Sequence, residues 1–345
     1  MSIVDFNIAK ESYFAASNGY GGFTSFFPRI FAPEELTRLF IIKGGPGTGK
    51  SSFMKKLALF GTENGCHTEA IFCSSDPSSL DGIILSKNGK RIAFIDGTAP
   101  HATDAKFPGA SDELIDLGAG FDRELLEGNR KEIIELNKEK GAAYSTAYST
   151  LKAAGELNDV KRRFYENNVD YNAAESIINS IIKENENTAS DKKRMIFLSS
   201  FGKNGYFKIS FQLKEGVKKI AVYGNGHTEF ILMNMLKNKL KNSIKTLCFS
   251  PLRVTDIEAI QTNNLFIYVD KNGDVDSEII SKKTDNFDKL TEVENESLNL
   301  ARHYFSIASE AHFKLEDVYI TAMNFENNDR LFEKYGNYCE KYLLL

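Results

Sequence analysis

The chain has 345 residues, 42% of them hydrophobic and 26% charged, and 43 Lys and Arg against 47 Asp and Glu give a formal charge of −4. That length admits two domains, or one large α/β unit with an insertion, and the apolar content is ordinary for a globular core. The charge supplies no basic field for duplex nucleic acid, so runs such as Lys192-Lys193-Arg194 or Lys237, Lys239 and Lys241 read as solvated faces.

Met1-Ser2-Ile3-Val4-Asp5 lacks a charged n-region before an apolar stretch, so no signal peptide is expected. The first sharp signal follows the apolar run Leu39-Phe40-Ile41-Ile42, which reads as a buried strand. It is Gly44-Gly45-Pro46-Gly47-Thr48-Gly49-Lys50-Ser51, the G-x-x-x-x-G-K-[ST] spacing of a phosphate-binding loop placed between a strand and a helix. Glycines at 44, 47 and 49 let the backbone curl until successive N–H groups point inward at phosphate oxygens. The helix starting near Lys50 and continuing through Leu59 adds the positive end of its dipole. On this reading Gly44, Gly45, Pro46, Gly47, Thr48, Gly49, Lys50, Ser51 and Ser52 bind nucleotide. Lys50 reaches the β- and γ-phosphates, and the Ser51 hydroxyl ligates Mg²⁺.

A second strand, Ala70–Cys73, leads into Cys73-Ser74-Ser75-Asp76-Pro77-Ser78-Ser79-Leu80-Asp81-Gly82. Strand ends at this edge of an open α/β sheet face the ligand crevice, where Asp76 and Asp81 suit metal or substrate. The same residues equally suit an Asx-turn, with Asp76 and Ser79 bonding backbone amides. Ala93-Phe94-Ile95-Asp96 is an apolar strand ending in a carboxylate, which places Asp96 as a second Mg²⁺ ligand beside Ser51. Gly97 follows, so the glutamate that many ATPases use there to activate water is missing. His101 or Asp104 is a candidate to polarise a nucleophile, or His101 simply fills its loop. The catalytic candidates are thus Lys50, Asp96 and His101.

Residues 122–187 are helical by period, with Ile133, Leu136, Lys140, Tyr144, Ala147, Leu151 and Ala154 on one stripe. Asn172-x-x-Glu175 is expected to cap the second helix of a hairpin. The stripe reads as packing surface, against another hairpin or a second subunit. No Asn-Lys-x-Asp guanine pattern occurs, since Asn137-Lys138-Glu139-Lys140 lacks the aspartate, and adenine is the better expectation. Arg123, Arg130, Arg162 and Arg163 are arginine-finger candidates that the sequence does not separate.

The chain then repeats itself. Ile220-Ala221-Val222-Tyr223-Gly224-Asn225-Gly226-His227-Thr228-Glu229-Phe230 matches the first strand and loop, Cys248 matches Cys73, and Ile267-Tyr268-Val269-Asp270 matches Ala93–Asp96, all at offsets of about 175 residues. Leu298, Ala301, Phe305, Ala308 and Tyr319 match Tyr144, Ala147, Leu151, Ala154 and Tyr165 at about 154. Phe197-Leu198-Ser199-Ser200 likewise matches Phe14-Ala15-Ala16-Ser17. In the second copy His227 replaces Lys50 and the loop is shorter, so nucleotide chemistry is expected in the first half only.

The fold class expected is α/β, a P-loop NTPase-type parallel sheet with helices on both faces, duplicated in tandem. The first domain spans 1–190 with a helical hairpin at about 120–190, the second 191–345 with a hairpin at about 285–345. No apolar run approaches the roughly 18 residues that span a bilayer. Cys66, Cys73, Cys248 and Cys339 lack zinc-ligand spacing and read as free thiols. A cytoplasmic protein is expected, with nucleotide as ligand and a protein partner or second copy meeting the hairpins.

The loop at 44–51 together with Cys73-Ser74-Ser75-Asp76-Pro77, Leu80-Asp81-Gly82 and Asp96-Gly97-Thr98-Ala99-Pro100-His101 resembles a little-characterised bacterial family of tandem P-loop proteins, ATPase or nucleotide-kinase-like. The likeness extends over nearly the whole chain. It implies a P-loop fold and ATP binding without an assigned substrate. Members can carry a P-loop in both halves, and this chain departs from that at His227. An Mg²⁺-dependent ATPase is the leading expectation. The alternatives are a kinase moving the γ-phosphate to a nucleotide or small acceptor near Asp76, Asp81 and His101, and a scaffold that senses ATP without turnover.

Overall fold

A computed structural model describes residues 9–183, 185, 189–190 and 193–344. The Met1–Asp5 stretch, Lys192 and the far end of the 122–187 helical segment lie outside the described residues. In chain order the strands are β1 (Glu11–Phe14), β2 (Ala16–Gly19), β3 (Gly22–Ser25), β4 (Arg38–Lys43), β5 (His67–Phe72), β6 (Leu80–Lys87), β7 (Lys90–Asp96), β8 (Asp112–Asp116), β9 (Arg194–Phe197), β10 (Ser199–Gly202), β11 (Gly205–Lys208), β12 (Lys218–Tyr223), β13 (Thr246–Phe249), β14 (Ile257–Gln261), β15 (Leu265–Val269) and β16 (Val275–Asp276). The helices are α1 (Phe27–Ile30), α2 (Lys50–Glu63), α3 (Arg123–Gly128), α4 (Arg130–Asn167), α5 (Tyr171–Ile182), α6 (Thr228–Lys239), α7 (Asp288–Thr321) and α8 (Glu326–Cys339).

Twelve strands form one sheet in the order β16-β12-β15-β14-β13-β9-β1-β5-β6-β7-β4-β8. Read outward from the centre, β1-β5-β6-β7-β4-β8 and β9-β13-β14-β15-β12-β16 are the same order. The two sets meet where β1 and β9 pair antiparallel through Phe14 and Phe197. At that seam Arg194 of β9 pairs with Glu69 of β5 and with Glu11 of β1, while Tyr13 donates to Glu69 at 2.8 Å.

The expected strands form where the apolar runs lie. Leu39, Phe40, Ile41 and Ile42 are buried in β4, each contributing about 1.5–3 kcal/mol by leaving water. The sheet is mostly parallel, as expected, but β6 and β14 run antiparallel to both neighbours, so it is mixed. A tight turn, with Asn88 at φ 53 and Gly89 at φ 75, reverses the chain between β6 and β7, and positive φ at both centres is the mark of a type I′ turn.

Helices on both faces is corrected as well. One face carries α2, α5, α6 and α8 in one apolar cluster with Phe40, Phe94, Val222 and Ile260. The other face is covered by the four-residue α1, with Phe27 and Ile30, and by chain segments bearing Phe31, Leu36, Phe211 and Leu213. A run of 4 residues is all the helix that cluster receives.

The two long helices pair with each other. Tyr144 of α4 packs edge-on to Phe305 of α7, and near the opposite ends Lys161 pairs with Glu294, so they run antiparallel. Ala147, Leu151, Ala301 and Phe305 fill that contact, which spends the predicted stripe inside the chain. The cap of α5 is Asp170, whose side chain accepts from the N–H groups of Asn172 and Ala173, so the box expected to start at Asn172 sits two residues too late. Each hairpin crosses over: Lys239 of α6 bonds Glu175 of α5, while Lys56 of α2 bonds Asp329 of α8.

Candidate functional site

The loop between β4 and α2 has the backbone its glycines allow. Gly44, Gly47 and Gly49 lie at φ 156, 70 and 80, conformations that side chains rarely adopt. A Cβ at Gly44 would meet Thr48 Oγ1 at 2.6 Å, and Thr48 is fully buried while donating to the Gly45 carbonyl at 2.9 Å. Lys50 folds back over the loop, donating to the carbonyls of Gly44 at 3.2 Å and Gly45 at 2.9 Å. Pro46 is half-buried, and Ser52 is exposed in the first turn of α2.

β4 and β7 pair in parallel with Ile42 opposite Asp96, which brings the carboxylate to the mouth of the loop. Asp96 Oδ2 stands 3.7 Å from Lys50 Nζ, while Oδ1 accepts from the Thr98 N–H at 2.8 Å and its hydroxyl at 2.6 Å. The Ser51 hydroxyl oxygen accepts from the Leu80 N–H at 3.0 Å and keeps its own proton free to donate. Gly97 is required by space: a Cβ there would lie 2.3 Å from Ile41 Cγ2, so no glutamate fits behind Asp96.

His101 is buried, stacked 4.1 Å from the Phe27 ring and 5.1 Å from Phe23, with Nε2 3.0 Å from Asp81 Oδ2. It therefore sits in a packed aromatic niche, bound to the residue that follows the Leu80 amide on Ser51. Asp104 is 92% exposed and held 3.0 Å from Lys43, which also donates to the carbonyls of Gly97 and Thr103. Asp76 accepts from the Ser78 N–H and hydroxyl and from Ser79, the geometry of an Asx-turn.

Residues from the far end of the chain complete the surroundings. Tyr319 and Phe121 lie 3.4 Å from where a Cβ at Gly45 would be. Asn328 donates to the Thr48 carbonyl at 2.8 Å, and Phe325 lies against Gly49. Glu316 of α7 stands over Gly47 with its carboxylate 3.6 Å from His312, and burial holds its carboxyl above the usual range against the pull of the Gly47 amide and of Lys50. Nearby, burial together with Lys140 and Lys50 pushes His312 down to about 4, so it is neutral at pH 7. The only sequence signal for this group was the match of Tyr319 with Tyr165, which set both tyrosines at one place in the repeat.

The loop after β12 is built differently. Glu229 accepts the Gly226 N–H at 3.0 Å, and Asn225 Oδ1 accepts the N–H groups of His227 and Thr228. A Cβ at Gly224 would meet Ser277 Oγ at 2.3 Å and Glu229 Oε2 at 2.5 Å, so its own side chains fill this loop. His227 stacks 5.3 Å from Tyr165 of α4, and burial, then Lys161 and Arg162, lower its pKa to about 3. Asp270 accepts the Asn272 N–H at 3.0 Å.

Arg162 lies here rather than over the first loop. It pairs with Asp256 at 3.1 Å and Glu166 at 2.8 Å, and donates to the His227 carbonyl. Arg163 joins it in lining a cavity of about 340 Å³ with Arg253 and Asn234. Arg123 opens α3 and Arg130 opens α4.

Among the described residues no cluster of three His, Cys, Asp or Glu could hold a metal, and all four cysteines are unpaired. No described helix is long and apolar enough to cross a membrane. The chain matches no protein-family model, no curated protein sequence and no solved structure.

Proposed function

We propose that this chain binds ATP at the loop 44–51 and hydrolyses it with Mg²⁺, and that it arose by tandem duplication of a P-loop unit whose second copy has lost that chemistry. The observation that carries the reading is the positive-φ backbone at Gly44, Gly47 and Gly49, capped by Lys50 at the start of a helix. Such a loop turns successive amides toward one point, where a phosphate tail fits. The common strand order on either side of β1 and β9 supports the duplication, as do the repeated residues. On this reading the domains span 1–190 and 191–345, and each lends its hairpin to the other.

Lys50 exchanges two carbonyl partners for phosphate oxygens, a stronger charge-assisted pairing. Ser51 Oγ and Asp96 Oδ2 suit Mg²⁺, since among the described residues the hydroxyl bonds Leu80 and that carboxylate oxygen faces Lys50 at 3.7 Å. The ion would draw charge from the β- and γ-phosphate oxygens as the terminal bond breaks. His101 serves as a positioning residue: it holds Asp81, and the adjoining Leu80 amide holds Ser51.

Hydrolysis is favoured over transfer to a small acceptor because Asp81 and His101, the pair suited to hold one, bond each other under Phe23 and Phe27. A protein partner or second copy would meet the outer faces of α4 and α7, where Val160 and Leu300 are exposed. The test is to incubate purified protein with ATP and Mg²⁺, with and without nucleoside monophosphates, and follow phosphate and nucleotide species. Free phosphate without acceptor is expected. Phosphorylated acceptor, or tight binding with no turnover, overturns the ATPase reading.

A further inference from the structure

The end of α7 and the start of α8 lie directly on the first loop. The Glu316 carbonyl oxygen stands 2.8 Å from where a Cβ at Gly47 would be, and its carboxylate, 3.6 Å from His312, is close enough to the Gly47 amide to feel its pull. One turn on, Ile320 Cγ1 is 2.9 Å from that same point. A phosphate tail needs these amides too, and one N–H cannot serve a carboxylate and a phosphate together. The second loop shows the same chain using a carboxylate in this way, with Glu229 on the Gly226 amide.

We propose that Glu316 is an internal competitor for the first loop: it holds the Gly47 amide when nucleotide is absent, and nucleotide enters only as α7 lifts it away. This rests on the ATP-binding reading above. Because Asn328 and Phe325 press on the same loop from α8, the two helices leave together. Occupancy of the loop is thereby converted into displacement of a helix pair. The exchange is a population shift, in which the ligand favours the open state by its differential contacts alone.

The test is calorimetric titration of a non-hydrolysable ATP analogue with Mg²⁺ into wild type, Glu316→Gln and Glu316→Ala, each checked for native circular dichroism. Removing a charged competitor should tighten binding about tenfold in Glu316→Ala, with Glu316→Gln between it and wild type. Hydrogen exchange across 316–328 should rise in wild type when the analogue is added. Wild-type binding that both variants leave unchanged or weaken overturns the gate and leaves the ATP reading standing. Analogue bound by none of the three overturns the ATP reading, and the gate falls with it. Binding by the variants alone supports the gate in its strongest form.

Discussion

The loops after β4 and β12 each meet a carboxylate of the chain itself, and they differ in where that carboxylate comes from. Glu229 belongs to the first turn of the helix its loop begins, so its side chain returns to Gly226 with no large rearrangement to undo. Glu316 arrives from a helix of the other half and can be withdrawn as a unit. The cations differ in parallel. Lys50 rests on two carbonyls with Asp96 at 3.7 Å, whereas His227 is buried, stacked and neutral at pH 7. A loop that satisfies itself locally is structure, and one satisfied by a distant element can be a switch.

The largest expected effect separates the arginine of the second loop from any role at the first. Arg162→Ala leaves Asp256 buried with Arg253 at 3.7 Å and the Asn234 amide at 3.4 Å, and should cost about 3 kcal/mol of stability in urea titrations. Nucleotide affinity of the folded protein should be unchanged. An affinity loss there as large as that of a Lys50 variant would erase the distinction between the loops. Lys50→Ala comes next, with nucleotide binding weaker by about 1.5–3 kcal/mol and phosphate release abolished. His227→Ala, at the matching position, should leave affinity unaltered. Calorimetry on the two variants side by side decides, and equal losses would mean that both loops bind nucleotide.

The bend of the first loop was legible because its geometry is local: eight consecutive residues carry the glycines, the lysine and the serine. Asp96 was legible from a strand ending beside it. β6 was not read, although Asn88-Gly89 is the dipeptide that closes a tight hairpin, because the polar run before Leu80 drew the reading toward a ligand crevice. The cap of α5 slipped because Asp170 and Asn172 are both cap formers, and only the φ/ψ of Asp170 decides between them. Which element covers which loop could not be read at all. Helical period marks the face that Tyr144, Ala147 and Leu151 bury, yet an antiparallel pair delivers the end of each helix to the opposite half, and that is set by tertiary packing.

Acid should sharpen the comparison further. His227 has its pKa lowered from 6.5 to about 3, so its stabilising share is complete above pH 6.5 and is lost as pH falls toward 3. By pH 5 that loss amounts to about 2 kcal/mol, since the unfolded imidazole is charged and the folded one is not. Wild type should therefore lose stability between pH 7 and pH 5, and His227→Ala should lose less over the same interval. His312, lowered to about 4 beside the first loop, acts in the same sense and remains in that variant. Equal pH slopes for the two proteins in urea titrations would show that the second loop's histidine is not held neutral.

The smallest effect tests whether the two contacts on the first loop act as one. Asn328 Nδ2 donates to the Thr48 carbonyl at 2.8 Å, which ties the first turn of α8 to the loop. Asn328→Ala should remove about 1 kcal/mol of that closed arrangement and tighten analogue binding about fivefold. If α7 and α8 lift together, a chain already lacking Glu316 spends more time open, so less remains for the Asn328 change to release. The double variant should then bind less tightly than the two single gains added as free energies. Strict additivity would mean independent contacts, each opening by itself, and nucleotide could enter beneath α8 without α7 moving. The second loop admits no such cycle, because the carboxylate that fills it is fixed in the first turn of the helix that the loop begins.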